Sequence, residues 1–145
     1  MNSTRRTLLA ALTLALLAPW RAFAAWNKEG FGAKTAADAL KSIGATGAAP
    51  NPALRIDAPE IAENGAVVPI EIESAIPGTT SLAVVVDKNP FPLVGHFQFA
   101  EGALPFVKVN VKMGETSEVR VVAQAGGKNF VATKEIKVTI GGCGG

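Results

Sequence analysis

From Leu54 onward the hydrophobic and polar residues alternate with a period of two, the signature of strands that bury one face. Ala66, Val68, Ile70 and Ile72 share a face while Glu71 and Glu73 take the other, which predicts a strand over 66–73. Pro69 inside it cannot donate to a ladder, so an edge strand or a bulge is expected there. Leu82 to Val86 is continuously apolar, as expected of a strand covered on both faces. Val107, Val109, Val111 and Met113 alternate with Lys108, Asn110 and Lys112, and Ser117 to Ala125 alternates through Val119, Val121 and Ala123. Ile136, Val138 and Ile140 form a last strand with Glu135, Lys137 and Thr139 outward. Turn residues separate these runs: Pro77-Gly78, Gly114, and Gly126-Gly127, which suits a tight hairpin between the last two strands. About seven short strands with regular turns predict an all-β fold, an immunoglobulin-like antiparallel β-sandwich spanning 54–140. The paired cysteines and core tryptophan of true immunoglobulin domains are absent, so the likeness is one of architecture.

The pattern differs before Leu54. Thr35 is an N-cap candidate, Asp38 sits in the first turn of a run of helix formers from Ala36 to Ile43, and Gly44 provides a stop. Ala45 to Pro52 is a stretch of small residues, Gly and Pro, read as a linker, so 25–53 forms a short N-terminal helical segment. Residues 1–24 read as a cleaved signal peptide. Arg5 and Arg6 begin it, the run from Leu8 to Ala18 is apolar but too short to span a bilayer, and Ala22-Phe23-Ala24 is a small-x-small cleavage site. Thr4-Arg5-Arg6-Thr7-Leu8-Leu9 resembles the twin-arginine signal that exports folded proteins, and Arg21 before the cleavage site fits the same route. A periplasmic location follows, with no membrane attachment after cleavage.

Composition then narrows the chemistry. Cleavage removes Arg5, Arg6 and Arg21, so Lys+Arg falls from 14 to 11 against 12 Asp+Glu, and the basic character leaves with the signal. No cationic run remains for nucleic acid. One histidine and one cysteine exclude a transition-metal site of the usual kind, and no phosphate-cradling glycine loop precedes a helix, so neither metal nor cofactor is expected. In Leu93 to Phe99, Leu93, Phe97 and Phe99 are apolar on one face; His96 lies opposite beside Gln98 and reads as a half-exposed sheet histidine rather than a general base. Lys88-Asn89-Pro90-Phe91-Pro92 reads as a rigid turn on which exposed Phe91 could anchor a partner.

What remains is Gly141-Gly142-Cys143-Gly144-Gly145. An exported domain with a single cysteine can form no internal disulfide, so its thiol serves an intermolecular bond or stays free. Glycine has the widest backbone freedom, so Gly141, Gly142, Gly144 and Gly145 predict a flexible arm without neighbouring side chains. Nothing in the local sequence lowers the thiol below its ordinary pKa of about 8.5, and the small thiolate fraction at neutral pH is still nucleophilic. Cys143 therefore reads as a covalent attachment point on a carrier, activated by whichever enzyme receives it, and no catalytic residue is assigned to the chain. Two other readings stand beside this one. Gly144-Gly145 permits a carrier activated at its carboxylate, and Cys143 alone permits a disulfide-linked structural subunit.

Lys137-Val138-Thr139-Ile140-Gly141-Gly142-Cys143-Gly144-Gly145 resembles the carboxyl terminus of the SoxY family, the sulfur-carrier subunits of bacterial thiosulfate oxidation. The resemblance implies that Cys143 carries the sulfur substrate covalently. A haem enzyme joins thiosulfate oxidatively to the thiol, a hydrolase releases the terminal sulfone as sulfate, and a sulfur dehydrogenase oxidises the remaining sulfur. It also implies a heterodimer with a second small all-β subunit, SoxZ, which has no signal of its own and would be exported with its folded partner.

Overall fold

The computed structural model describes residues 26–139, and it is an all-β sandwich with two short helices at its N-terminal end. Helices α1 (Lys28–Gly32) and α2 (Ala36–Ser42) come first. Strands β1 (Ala49–Pro50), β2 (Leu54–Asp57), β3 (Ile61–Ala62), β4 (Val68–Ser74), β5 (Thr79–Val86), β6 (Leu93–Gln98), β7 (Phe106–Val111), β8 (Ser117–Ala125) and β9 (Lys128–Val138) follow. One sheet runs β1-β9-β8-β5-β6, with β3 joining β9 beside β1; the other is β2-β4-β7. All pairings are antiparallel except those of β1 and β3 with β9.

The alternating strands put their apolar faces into one shared core. Val68, Ile70 and Ile72 of β4 meet Leu82, Val84 and Val86 of β5 and Val119, Val121 and Ala123 of β8, all without solvent exposure. The opposite face of β5 is buried too. Ala83, Val85, Val122 and Leu93 form a second cluster with Ala39, Ile43 and Ala45, so the helices lie on the outer face of the larger sheet. That double cover explains the unbroken apolar run of β5.

Local chemistry places the helices. The Thr35 hydroxyl accepts from Asp38 N at 3.1 Å and donates to the Asp38 carboxylate at 2.8 Å, while Gly44 leaves α2 at φ +67°. Helix α1, which periodicity did not predict, starts at Asn27. Its side chain accepts from Gly30 N and donates to Ser42 O, tying α1 to the end of α2. Ala45 to Pro52 is not a free tether. Ala45 is buried, β1 pairs with β9, and Asn51 N donates to Val131 O.

Three expectations are refined. Pro69 lies in the central strand of its sheet, but β2 pairs only with positions 71–74 of β4, so position 69 is an edge locally. A register shift between Val84 and Val85 turns Leu93 to the helix-bearing face, away from Phe97 and Phe99, which pack against the main core. Gly126 and Gly127, at φ +56° and +73°, close the hairpin, and β9 begins at once with Lys128.

Ile70 occupies the middle of this core with no exposed surface. Ile70→Ala should lower unfolding free energy by about 2–5 kcal/mol in denaturant titrations, with the fold retained.

Candidate functional site

Cys143 and the glycines Gly141, Gly142, Gly144 and Gly145 lie outside the described residues, as does Ile140. The last described residue before them is Thr139. The last pair between β9 and β8 is Ile136 with Ser117. Beyond it, Lys137 N donates to Glu60 O at 2.9 Å and Thr139 N to Ala62 O at 3.1 Å, through the parallel pairing with β3. On the other edge, where the β8 ladder has stopped, Val138 N donates to the Thr116 hydroxyl at 3.0 Å. Three successive amides are thus held after the antiparallel ladder has ended.

The two loops that supply these acceptors also hold each other. Met113 N donates to Gly65 O at 2.7 Å. A Cβ on Gly65 would lie 2.3 Å from Met113 O and 2.8 Å from Val138 Cγ1, so only glycine lets the loop before β4 close against the end of β9. Asn64 shapes this loop by accepting from Ala66 N through its side chain. Periodicity did not single out Gly65 or Thr116, because a glycine after asparagine and a threonine before a strand look like ordinary turn residues.

The loop before β6 reaches the same end of the sandwich. Lys88 N donates to Ser117 Oγ at 3.0 Å, and the Asn89 side chain donates to Lys112 O at 2.7 Å. Phe91 in this loop is about half exposed and carries the Lys34 ammonium 3.5 Å above its ring. Ile61 and Val67 are also exposed here, beside Glu60, Glu63, Glu115, Lys112 and Lys137. The rim of Thr139 therefore mixes apolar side chains with both signs of charge.

His96 sits within β6 across from Ala83, half-buried on the helix-bearing face, and burial lowers its pKa below the ordinary 6.5. Among the described residues no three His, Cys, Asp or Glu side chains gather to hold a metal ion. An open cleft of about 480 Å³ lies at the far end of the sandwich, lined by residues including Ile76, Thr79, Phe99 and Pro105, with Glu101 as its charged member. Arg120 spans Asp87 at 2.6 Å and Glu118 at 3.0 Å, a partly exposed ion-pair cluster on the sheet.

Comparison with known proteins adds identity to this geometry. The model of the family described as "Sulfur oxidation protein SoxY" matches residues 40–143, a stretch that ends on the cysteine. The structure of the sulfur carrier protein SoxY from Chlorobium limicola f. thiosulfatophilum is similar at 39% identity and a TM-score of 0.61, over 72% of this chain and 99% of that one. A superoxide reductase (neelaredoxin) from Ignicoccus hospitalis shares the fold at 18% identity and a TM-score of 0.53, over 59% of this chain and 79% of that one. No curated protein matches the sequence significantly.

His96 is the single histidine, and its lowered pKa gives the stability a direction in pH. The unfolded chain takes up a proton near pH 6.5 more readily than the folded one, so stability is full above that pH and falls below it. The denaturation midpoint should drop between about pH 7.5 and 5.5, and His96→Gln should flatten most of that drop.

Proposed function

The chain belongs to the SoxY family of sulfur oxidation proteins, and from that premise we propose that it is a periplasmic sulfur carrier that holds its substrate covalently on Cys143. One observation carries the reading. The family match extends through Cys143, and that residue is the chain's single cysteine. Gly141, Gly142, Gly144 and Gly145 make the arm, since no side chain beside the thiol can pack on the body or obstruct entry into a narrow active site.

Loading balances as a two-electron oxidation. The thiol loses its proton, its sulfur bonds to the outer sulfur of thiosulfate, and two electrons pass to a haem enzyme. Hydrolysis of the terminal sulfone by a second enzyme releases sulfate and leaves a persulfide on Cys143. A sulfur dehydrogenase oxidises that outer sulfur, and renewed hydrolysis returns the free thiol. The carrier itself supplies no proton relay and no metal to any of these steps. Its contribution is a sulfur nucleophile at the end of a short tether.

The same premise supports the remaining assignments. Residues 1–24 serve as a twin-arginine signal, 25–53 as the helical segment, 54–140 as the sandwich and 141–145 as the arm. A SoxZ-like all-β subunit pairs with the sandwich and travels with it through the folded-protein route. No helix among the described residues is long and apolar enough to cross a membrane. An antiparallel sandwich also differs from the β-grasp domain that Gly-Gly carboxylate carriers use, which favours the thiol over the C-terminal carboxylate as the working group.

Protein isolated from thiosulfate-grown cells should show, by intact-mass measurement, an adduct on Cys143 that reductant removes. Cys143→Ser should abolish both the adduct and thiosulfate-dependent turnover in the reconstituted system. Full turnover by the serine variant would transfer the role to the carboxylate, and an unmodified cysteine would remove the sulfur-carrier reading.

A further inference from the structure

We propose that the outer edge of β7 is a self-association surface, onto which a second copy of this chain adds its own β7 antiparallel, about a two-fold axis at Val109. The proposal concerns the sandwich alone and does not rest on the carrier reading.

The two flanks of the sandwich are finished differently. On one flank β1 and β3 lie along the edge of β9. On the other, β6 and β7 end their sheets, and among the described residues no strand pairs with their outer edges. Val94 and Phe97 of β6 and Val109 of β7 pack on the main core there but stay only partly buried. The two edges are not equivalent. The ladder of β5 with β6 shifts register between Val84 and Val85, and a bulge of this kind turns an edge away from further pairing. The ladder of β4 with β7 runs without a shift from Val68↔Val111 to Glu73↔Phe106. Strand β7 is therefore the regular template.

The phase of its hydrogen bonds shows what that template offers. Ser74 N donates to Pro105 O, so in the alternating antiparallel pattern Val107, Val109 and Val111 bond to β4. Phe106, Lys108 and Asn110 direct their N–H and C=O groups outward. Both ends of this outward row are already closed. Phe106 N donates to Leu104 O at 2.9 Å, and Lys112 O accepts from the Asn89 side chain at 2.7 Å. Between them the backbone groups of Lys108 and Asn110 have no partner among the described residues.

A second β7 fits this row in one register. An axis at Lys108 sets Lys108 against itself, and an axis at Asn110 sets Lys108 against Lys112 twice; both oppose like charges directly. Axes at Val107 or Val111 call on Phe106 N or Lys112 O, which are taken. With the axis at Val109, Lys108 of each copy faces Asn110 of the second copy, and four backbone bonds form. On the inner side Val109 meets Val109 and Val107 meets Val111, so the valine face of the strand continues across the junction. The exposed Leu104 and Phe106 reach the Lys112 and Asn89 end of the second copy, where the lysine stem covers apolar surface. Every contact is made twice, as a two-fold interface requires.

Asn110 is exposed, so its substitution leaves the core untouched. The mature chain, kept reduced, should sediment as a reversible monomer–dimer mixture. Asn110→Glu places a carboxylate opposite Lys108 twice and should lower the dissociation constant about fivefold, whereas Asn110→Lys opposes two lysine pairs and should raise it about fivefold. Added salt should shrink both shifts. Signal cleavage leaves the chain slightly acidic, so net charge alone would move the two variants in the reverse directions. In wild-type protein the Lys108 and Asn110 amides should gain hydrogen-exchange protection as concentration rises, while those of Val107, Val109 and Val111 are protected throughout. A chain that stays monomeric at every concentration, or variant shifts that follow net charge, would overturn the proposal. Protection of Lys108 and Asn110 that appears only when a SoxZ-like subunit is added would give the edge to that subunit and overturn the second copy as its occupant.

Discussion

Strand β9 is hydrogen-bonded along both edges by unrelated parts of the chain, and the arrangement of the molecule follows from that. Along one edge it forms a continuous ladder with β8, set by the tight turn at Gly126 and Gly127. Along the other it takes β1 at its start and β3 near its end, both parallel. A last strand of eleven residues left with one bare edge would invite pairing with another chain. Here that edge is covered by segments that come from the N-terminal side of the sandwich, so closing the fold and covering the edge are the same event. The helices are drawn in with them, because β1 follows directly from the buried Ala45 turn.

Burial on two sides sets the rest. The larger sheet carries the main core on one face and the helices on the other, which leaves β5 without a polar position from Leu82 to Val86. The smaller sheet has one buried face; its outward residues Arg55, Glu71, Glu73 and Lys108 remain in solvent, where Lys108 bridges to Glu71 across the strands. An exposed pair of this kind adds little stability. Strength therefore resides in the apolar layers, and the charged surface is left free to vary.

These features were legible in the sequence to different depths, for physical reasons. Strands with a buried face announced themselves by period, as did the apolar run of β5 and the capped helix from Thr35 to Gly44. Helix α1 did not, since two glycines in Lys28–Gly32 oppose helix propensity and it is held by the Asn27 link to Ser42. Strands β1 and β3 are too short to show any period and exist through tertiary pairing with β9. Leu93 was read onto the face of Phe97 because a bulge, invisible in composition, inverts the alternation between them. Cys143 was read as the chemical group by elimination, being the single cysteine in a glycine run, and it lies outside the described residues. The way β9 is held before it was not legible, because backbone carbonyls carry no sequence signature.

That division matches the work a carrier must do. An enzyme tunes a nucleophile by placing charges and donors around it, so its active residues cluster and their pKa values move. On the proposed reading, a thiol that enters several different active sites gains nothing from such a cluster. A base or cation fixed beside the sulfur would suit one partner and clash with the next, and it would widen a tether that has to pass through narrow openings. What the described chain does show is that the amides of Lys137, Val138 and Thr139 are taken up by Glu60 O, the Thr116 hydroxyl and Ala62 O. On the proposed reading the chemistry is left to the partners, and the sandwich holds the last described residues of β9.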